Sequence, residues 1–134
     1  MTRSRISYNV HGQSVPDTPR LLAHLGRLQP TTVLVMDALG LAQQIHALLP
    51  DCIVIHRNYG ATGGDDGIQD RPVNPISPEK WLELRAKEAE TGVWLYVSNE
   101  PGFNPFVLDW HVRLMELCIP RRIKLIVGNW AVGT

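Results

Sequence analysis

The chain alternates strand-like and helix-like segments from one end to the other, and this alternation limits its architecture more than any other feature. Ile6 to Val10 reads as a strand. Asp17-Thr18-Pro19 then opens a helix that runs to about Leu28, with Asp17 or Thr18 as the cap and proline in the first turn. Thr31 to Met36 is a second strand, and Leu39 to Leu49 a second helix with Leu41, Ile45, Leu48 and Leu49 on one stripe before Pro50. Cys52 to His56 is a third strand. Ser77-Pro78 repeats the cap-and-proline start and predicts a helix to about Glu90, with Trp81, Leu82, Leu84 and Ala89 as its apolar surface. Thr91-Gly92 ends that helix, glycine taking the position just past the last turn. Val93 to Val97 is a fourth strand. Asn104-Pro105 starts a helix whose apolar positions are Phe106, Leu108, Val112, Leu114, Met115, Leu117 and Ile119, and Pro120 closes it. Ile123 to Val127 is the fifth strand.

Strands separated by helices of about 10 to 15 residues imply βαβ units and a parallel sheet. Residues 1–134 form one domain by length. Two architectures fit. One is a complete flavodoxin-like open sheet, with strand order 2-1-3-4-5. The other is part of a (β/α)8 barrel, a little more than its N-terminal half, since a full barrel needs about 250 residues. The barrel predicts five parallel strands in the order 1-2-3-4-5. It also leaves the first and fifth strands with open edges, which predicts self-association of the solitary chain.

Thirteen Lys and Arg balance thirteen Asp and Glu, so the formal net charge is zero. A neutral balance gives no footprint for nucleic acid or an anionic membrane. Met1-Thr2-Arg3-Ser4-Arg5 has basic residues but no apolar stretch behind it, so no secretory signal is expected and the default location is the cytoplasm. No apolar run is long enough to predict a membrane span. Cys52 and Cys118 lie in apolar segments and read as buried free thiols. No His-Glu-x-x-His spacing is present, and His24, His46 and His111 read as surface or boundary residues, so no metal is expected. Gly60 to Asp70 lacks the spacing of a phosphate-binding or EF-hand loop, and a single Gly12 follows the first strand, so no nucleotide or other cofactor is expected. The His11-Gly12 tip also lacks the acidic cluster of a receiver domain.

The most informative short segment is Val93-Trp94-Leu95-Tyr96-Val97-Ser98-Asn99-Glu100-Pro101-Gly102. An apolar, β-branched and aromatic run stops abruptly on a carboxylate, and Pro101 and Gly102 end the strand there. Carboxyl ends of parallel strands are where α/β folds place their chemistry. Asn-Glu-Pro closing a fourth strand resembles the acid/base motif of the clan A glycoside hydrolases, which are retaining (β/α)8 barrels. The resemblance covers strands one to five and rests on residues 99 to 101. It implies that Glu100 is the acid/base and that Asn99 binds the sugar 2-hydroxyl. Retaining cleavage needs a second carboxylate about 5 to 5.5 Å away as nucleophile. In the family that group closes strand seven, and this sequence supplies five strands.

Other strand ends carry residues suited to a sugar, with hydroxyl partners and flat faces for stacking. They are His11 after strand one, Asp37 after strand two, His56, Arg57, Asn58 and Tyr59 after strand three, and Asn129 and Trp130 after strand five. In a barrel these tips converge on one face. The expected partner is a carbohydrate, either cleaved by acid/base chemistry or held by a non-catalytic barrel module. A small-ligand or regulatory role accompanies the flavodoxin-like alternative.

Overall fold

The computed structural model describes residues 4–12, 15, 17–58, 76–97 and 105–127. Five strands and four helices alternate: β1 (Ser4–His11), α1 (Thr18–Leu28), β2 (Pro30–Met36), α2 (Leu39–Leu48), β3 (Ile53–Arg57), α3 (Pro78–Ala89), β4 (Trp94–Tyr96), α4 (Pro105–Cys118) and β5 (Leu125–Ile126). A 3-10 turn over Ile119–Arg121 follows α4. The strands form one sheet in the order β1-β2-β3-β4-β5, every pair parallel. The order 2-1-3-4-5 expected of the flavodoxin-like alternative is not the one found, because β1 sits at the edge.

The helix starts follow from local chemistry. Asp17 caps α1, its Oδ1 accepting the Arg20 backbone N–H at 2.9 Å. Ser77 caps α3, its Oγ accepting the Lys80 N–H at 3.1 Å. Gln29 closes α1 in the left-handed region at φ 49°, its N–H returning to the Leu25 carbonyl.

Sequential order dictates the layering. Right-handed crossovers between neighbouring strands put every helix on the same side of the sheet. The core agrees. Val10, Val33, Val35, Val54, Leu95 and Val97, alternate residues of their strands, pack in one cluster with Leu25 of α1, Ile45 of α2, Trp81 of α3 and Leu114 of α4. The opposite face carries the intervening residues. Register places Asn9, Leu34, Ile55 and Trp94 at one level and His11, Met36 and Arg57 at the next. Leu34, Met36, Ile55 and Trp94 are only half-buried there.

Several side chains differ from the periodic reading, Phe106, Val112 and Ile119 of the stripe predicted for α4 being exposed. Leu84 and Leu48 are exposed, and His111, expected near the surface, is buried at 3% exposure. Its ring Nδ1–H donates to the Val107 carbonyl one turn back at 2.7 Å, which satisfies it inside the helix layer. Both cysteines are free and buried, as expected. No helix among the described residues is long and apolar enough to cross a membrane.

Candidate functional site

The carboxyl ends of β1, β2 and β3 form a common rim. His11, Met36 and Arg57 share a register level, so their side chains leave the same face of the sheet. His11 is exposed, and the Arg57 guanidinium lies over the Tyr96 ring, 5.4 Å from its centroid. One residue on, Asp37 takes a left-handed conformation at φ 53° and stays exposed. Its backbone N–H donates to the Arg57 carbonyl at 2.8 Å, which ties the β2 tip to the β3 tip. Gly12 sits close against Ala38, with the Met36 carbonyl beside it, and any side chain there would collide with both. The rim of the first three strands is therefore closely joined, with His11, Asp37 and Arg57 on it.

His56 and Asn58 go elsewhere. His56 belongs to the alternate set that faces the helices, and its ring is 1% exposed between β3 and α3. Its Nδ1–H donates to Glu88 Oε2 at 2.7 Å. Asn58 Nδ2 donates to Glu88 Oε1 at 3.0 Å. The same oxygen accepts from Arg85 Nε at 2.9 Å. Arg85 is fully buried, stacks over the Trp81 ring at 5.0 Å, and turns its remaining nitrogens to the sheet. Nη2 donates to the His56 carbonyl at 3.0 Å, and Nη1 reaches the Tyr96 carbonyl at 3.4 Å. One guanidinium thus spans the ends of β3 and β4.

Burial pushes the Glu88 carboxyl up, but the His56 hydrogen bond, the Arg85 charge and the Asn58 amide together outweigh it and hold the group below its ordinary value. The cluster is a fixed anion pinned by three donors, suited to positioning strands rather than to exchanging protons with a substrate. His56 Nε2 is buried with no hydrogen-bond partner among the described residues.

Asn99, Glu100, Tyr59, Asn129 and Trp130 lie outside the described residues. The bonds leading to the first two are described. Leu95 N–H donates to the Lys124 carbonyl at 2.9 Å and Val97 N–H to the Ile126 carbonyl at 3.1 Å, so β5 holds this segment up to Val97, while its pairing with β3 reaches Leu95. The sequence did not single out Arg85 or Glu88. The available signal was their spacing: Trp81, Arg85 and Glu88 stand at i, i+4 and i+7, on the stripe that packs against the sheet. Among the described residues no group of three or more His, Cys, Asp or Glu side chains could hold a metal ion.

Comparison with known proteins finds no matching family model, no matching curated protein and no matching solved structure.

Proposed function

We propose that the chain is the β1-to-β5 portion of a (β/α)8-type glycan-processing domain, with its site at the carboxyl ends of the strands. The observation that carries this reading is the sequential, all-parallel strand order with helices on one face, the arrangement of successive barrel strands. In this reading Glu100 protonates the leaving oxygen and later activates water, and Asn99 holds the sugar 2-hydroxyl. His11, Asp37, Arg57, Tyr59, Asn129 and Trp130 contribute the walls. His56 and Asn58 act one layer down, through Glu88 and Arg85, to set the spacing of β3 and β4. The family's nucleophile closes strand seven, and beside Glu100 the strand ends of this sequence offer Asp37 at the β2 tip, so the reading expects glycan binding, with cleavage when a nucleophile is supplied.

An added small nucleophile tests both parts. Azide can stand in for a missing carboxylate, attacking the sugar carbon while Glu100 protonates the departing nitrophenolate. Across a panel of 4-nitrophenyl glycosides the purified chain should give no release alone and azide-dependent release that Glu100→Gln removes. Saturable oligosaccharide binding without azide-dependent release supports the non-catalytic module. Neither binding nor release, on a folded chain, sinks the glycan reading.

A further inference from the structure

Among the described residues β1 pairs only with β2, so no described strand meets the backbone N–H and C=O groups of its outer edge. That edge is one wall of a groove of about 560 Å³, and α1 is the other. From the strand the groove takes Asn9 and His11, and from the helix Arg20, His24 and Arg27, with Asp17 at its upper end. Arg20, His24 and Arg27 are spaced i, i+4 and i+7 and so share one helix face. All three are exposed. Neither arginine has an ion-pair partner among the described residues. The one carboxylate among the described lining residues, Asp17, is turned to the Arg20 backbone N–H as the helix cap. Tyr8 Oη and His24 Nε2, both lining the groove, share a 2.8 Å hydrogen bond that ties strand to helix.

We infer that this groove binds an extended acidic polypeptide segment, added as a strand beside β1 with its carboxylates on the Arg20–Arg27 stripe. The strand edge demands a polypeptide, because only a backbone repeats donors and acceptors at the required interval. The helix stripe sets the charge. Arg20 and Arg27 are about 10 Å apart along the axis, between the ~7 Å and ~13 Å that separate same-face strand residues two and four apart, so long arginine side chains swing to reach acidic side chains on alternate residues. A second copy of this chain is the competing occupant, offering its own β5 in the parallel sense. Arg121, Arg122 and Lys124 lead into β5 and would arrive beside Arg27, so like charges oppose that pairing. The inference does not use Glu100 or Asn99, but it needs the β1 edge that a closing barrel strand would cover, and hydrogen exchange along Tyr8 to His11 separates the two.

The test uses the full chain and a fluorescein-labelled peptide alternating Thr and Glu, as long as β1, with a Thr-and-Lys peptide as counterpart. Anisotropy at low ionic strength should give saturable binding of the acidic peptide, about tenfold tighter than the basic one. The R20E/R27E double variant, its fold checked by circular dichroism, should reverse the preference. N-methylation of alternate peptide nitrogens should abolish binding. No saturable binding, equal affinity for both peptides, no reversal in the double variant, or full binding of the N-methylated peptide would each overturn the inference. So would sedimentation showing a dimer that the acidic peptide leaves intact.

Discussion

Arg85 is the residue on which the sheet ends depend most. It is fully buried, it carries a charge, and every nitrogen is committed: one to Glu88, one to the β3 carbonyl of His56 and one to the β4 carbonyl of Tyr96. Removing one partner of a buried pair leaves the other charge uncompensated, at a cost of about 3 to 5 kcal/mol. Arg85→Met and Glu88→Gln should each lower unfolding free energy by that order in urea titrations followed by tryptophan fluorescence. Values under about 1 kcal/mol would mean that the network is solvated or replaceable. The pH dependence has a defined sign. Glu88 is held below its ordinary value in the folded chain, so its contribution is full above the ordinary carboxyl range and fades as pH falls through the folded value. Glu88→Gln should therefore flatten the loss of stability on the acid side. Burial pushes the Cys118 thiol up to about 11, against a smaller opposing effect of Arg121, so it should resist a disulfide reagent at pH 8 until denaturant is added. A fast native reaction of Cys118, read in a Cys52→Ala background, would contradict its burial. Polarity places charged residues outward, and only the i, i+4, i+7 spacing from Trp81 puts Arg85 and Glu88 on the packed stripe. Reading Arg85 and Glu88 inward requires knowing that two strand-end carbonyls and the His56 ring await them on the other side.

At the scale of elements, sequence reading was most accurate where caps and proline act locally. The start of α3 at Pro78 and that of α4 at Pro105 fall where cap and proline put them, and Asp17, one of two candidates, is the cap of α1. Asp17→Ala and Ser77→Ala should each cost about 1 kcal/mol, measured by thermal or urea unfolding, because each removes the acceptor of a first-turn N–H. The C-terminal signal was equally readable. Gly92 has φ 85°, and a side chain there would also strike the His46 ring. Gly92→Ala should therefore destabilise by more than the ~1 kcal/mol expected for conformation alone. A loss of only a few tenths would show that His46 moves aside freely. Strand ends were less legible. The apolar run Val93 to Val97 is longer than β4, Trp94–Tyr96, because a strand extends only as far as its neighbours' ladders, and β5 is short. Hydrophobic pattern reports burial, and Val93 and Val97 are indeed buried, but it does not report pairing. For the same reason the sequence points to His56 as a strand-tip ligand: period two says that it alternates with Arg57, not which of the two faces carries the helices.

For the molecule as a whole, the decisive property is that one sheet face is covered by four helices while the two outer strands each pair on one side only among the described residues. Hydrogen exchange reads this directly. In a parallel strand, successive residues direct their backbone groups to opposite neighbours, so an edge strand leaves every second amide unbonded. Val54 and Leu95, in strands with neighbours on both sides, should be strongly protected. Along Tyr8 to His11 protection should alternate, with the outward amides exchanging as fast as those of a loop. The barrel arrangement gives this measurement a second use, because closing a barrel requires a strand on that edge. Uniform protection of Tyr8 to His11 in the isolated chain would mean that a strand already lies there. Dilution would then separate the sources: protection that falls with concentration comes from a second copy, and protection that persists comes from the chain itself. Alternating protection that becomes uniform only when the acidic peptide is added would place that peptide on the β1 edge, and no change on its addition would remove it.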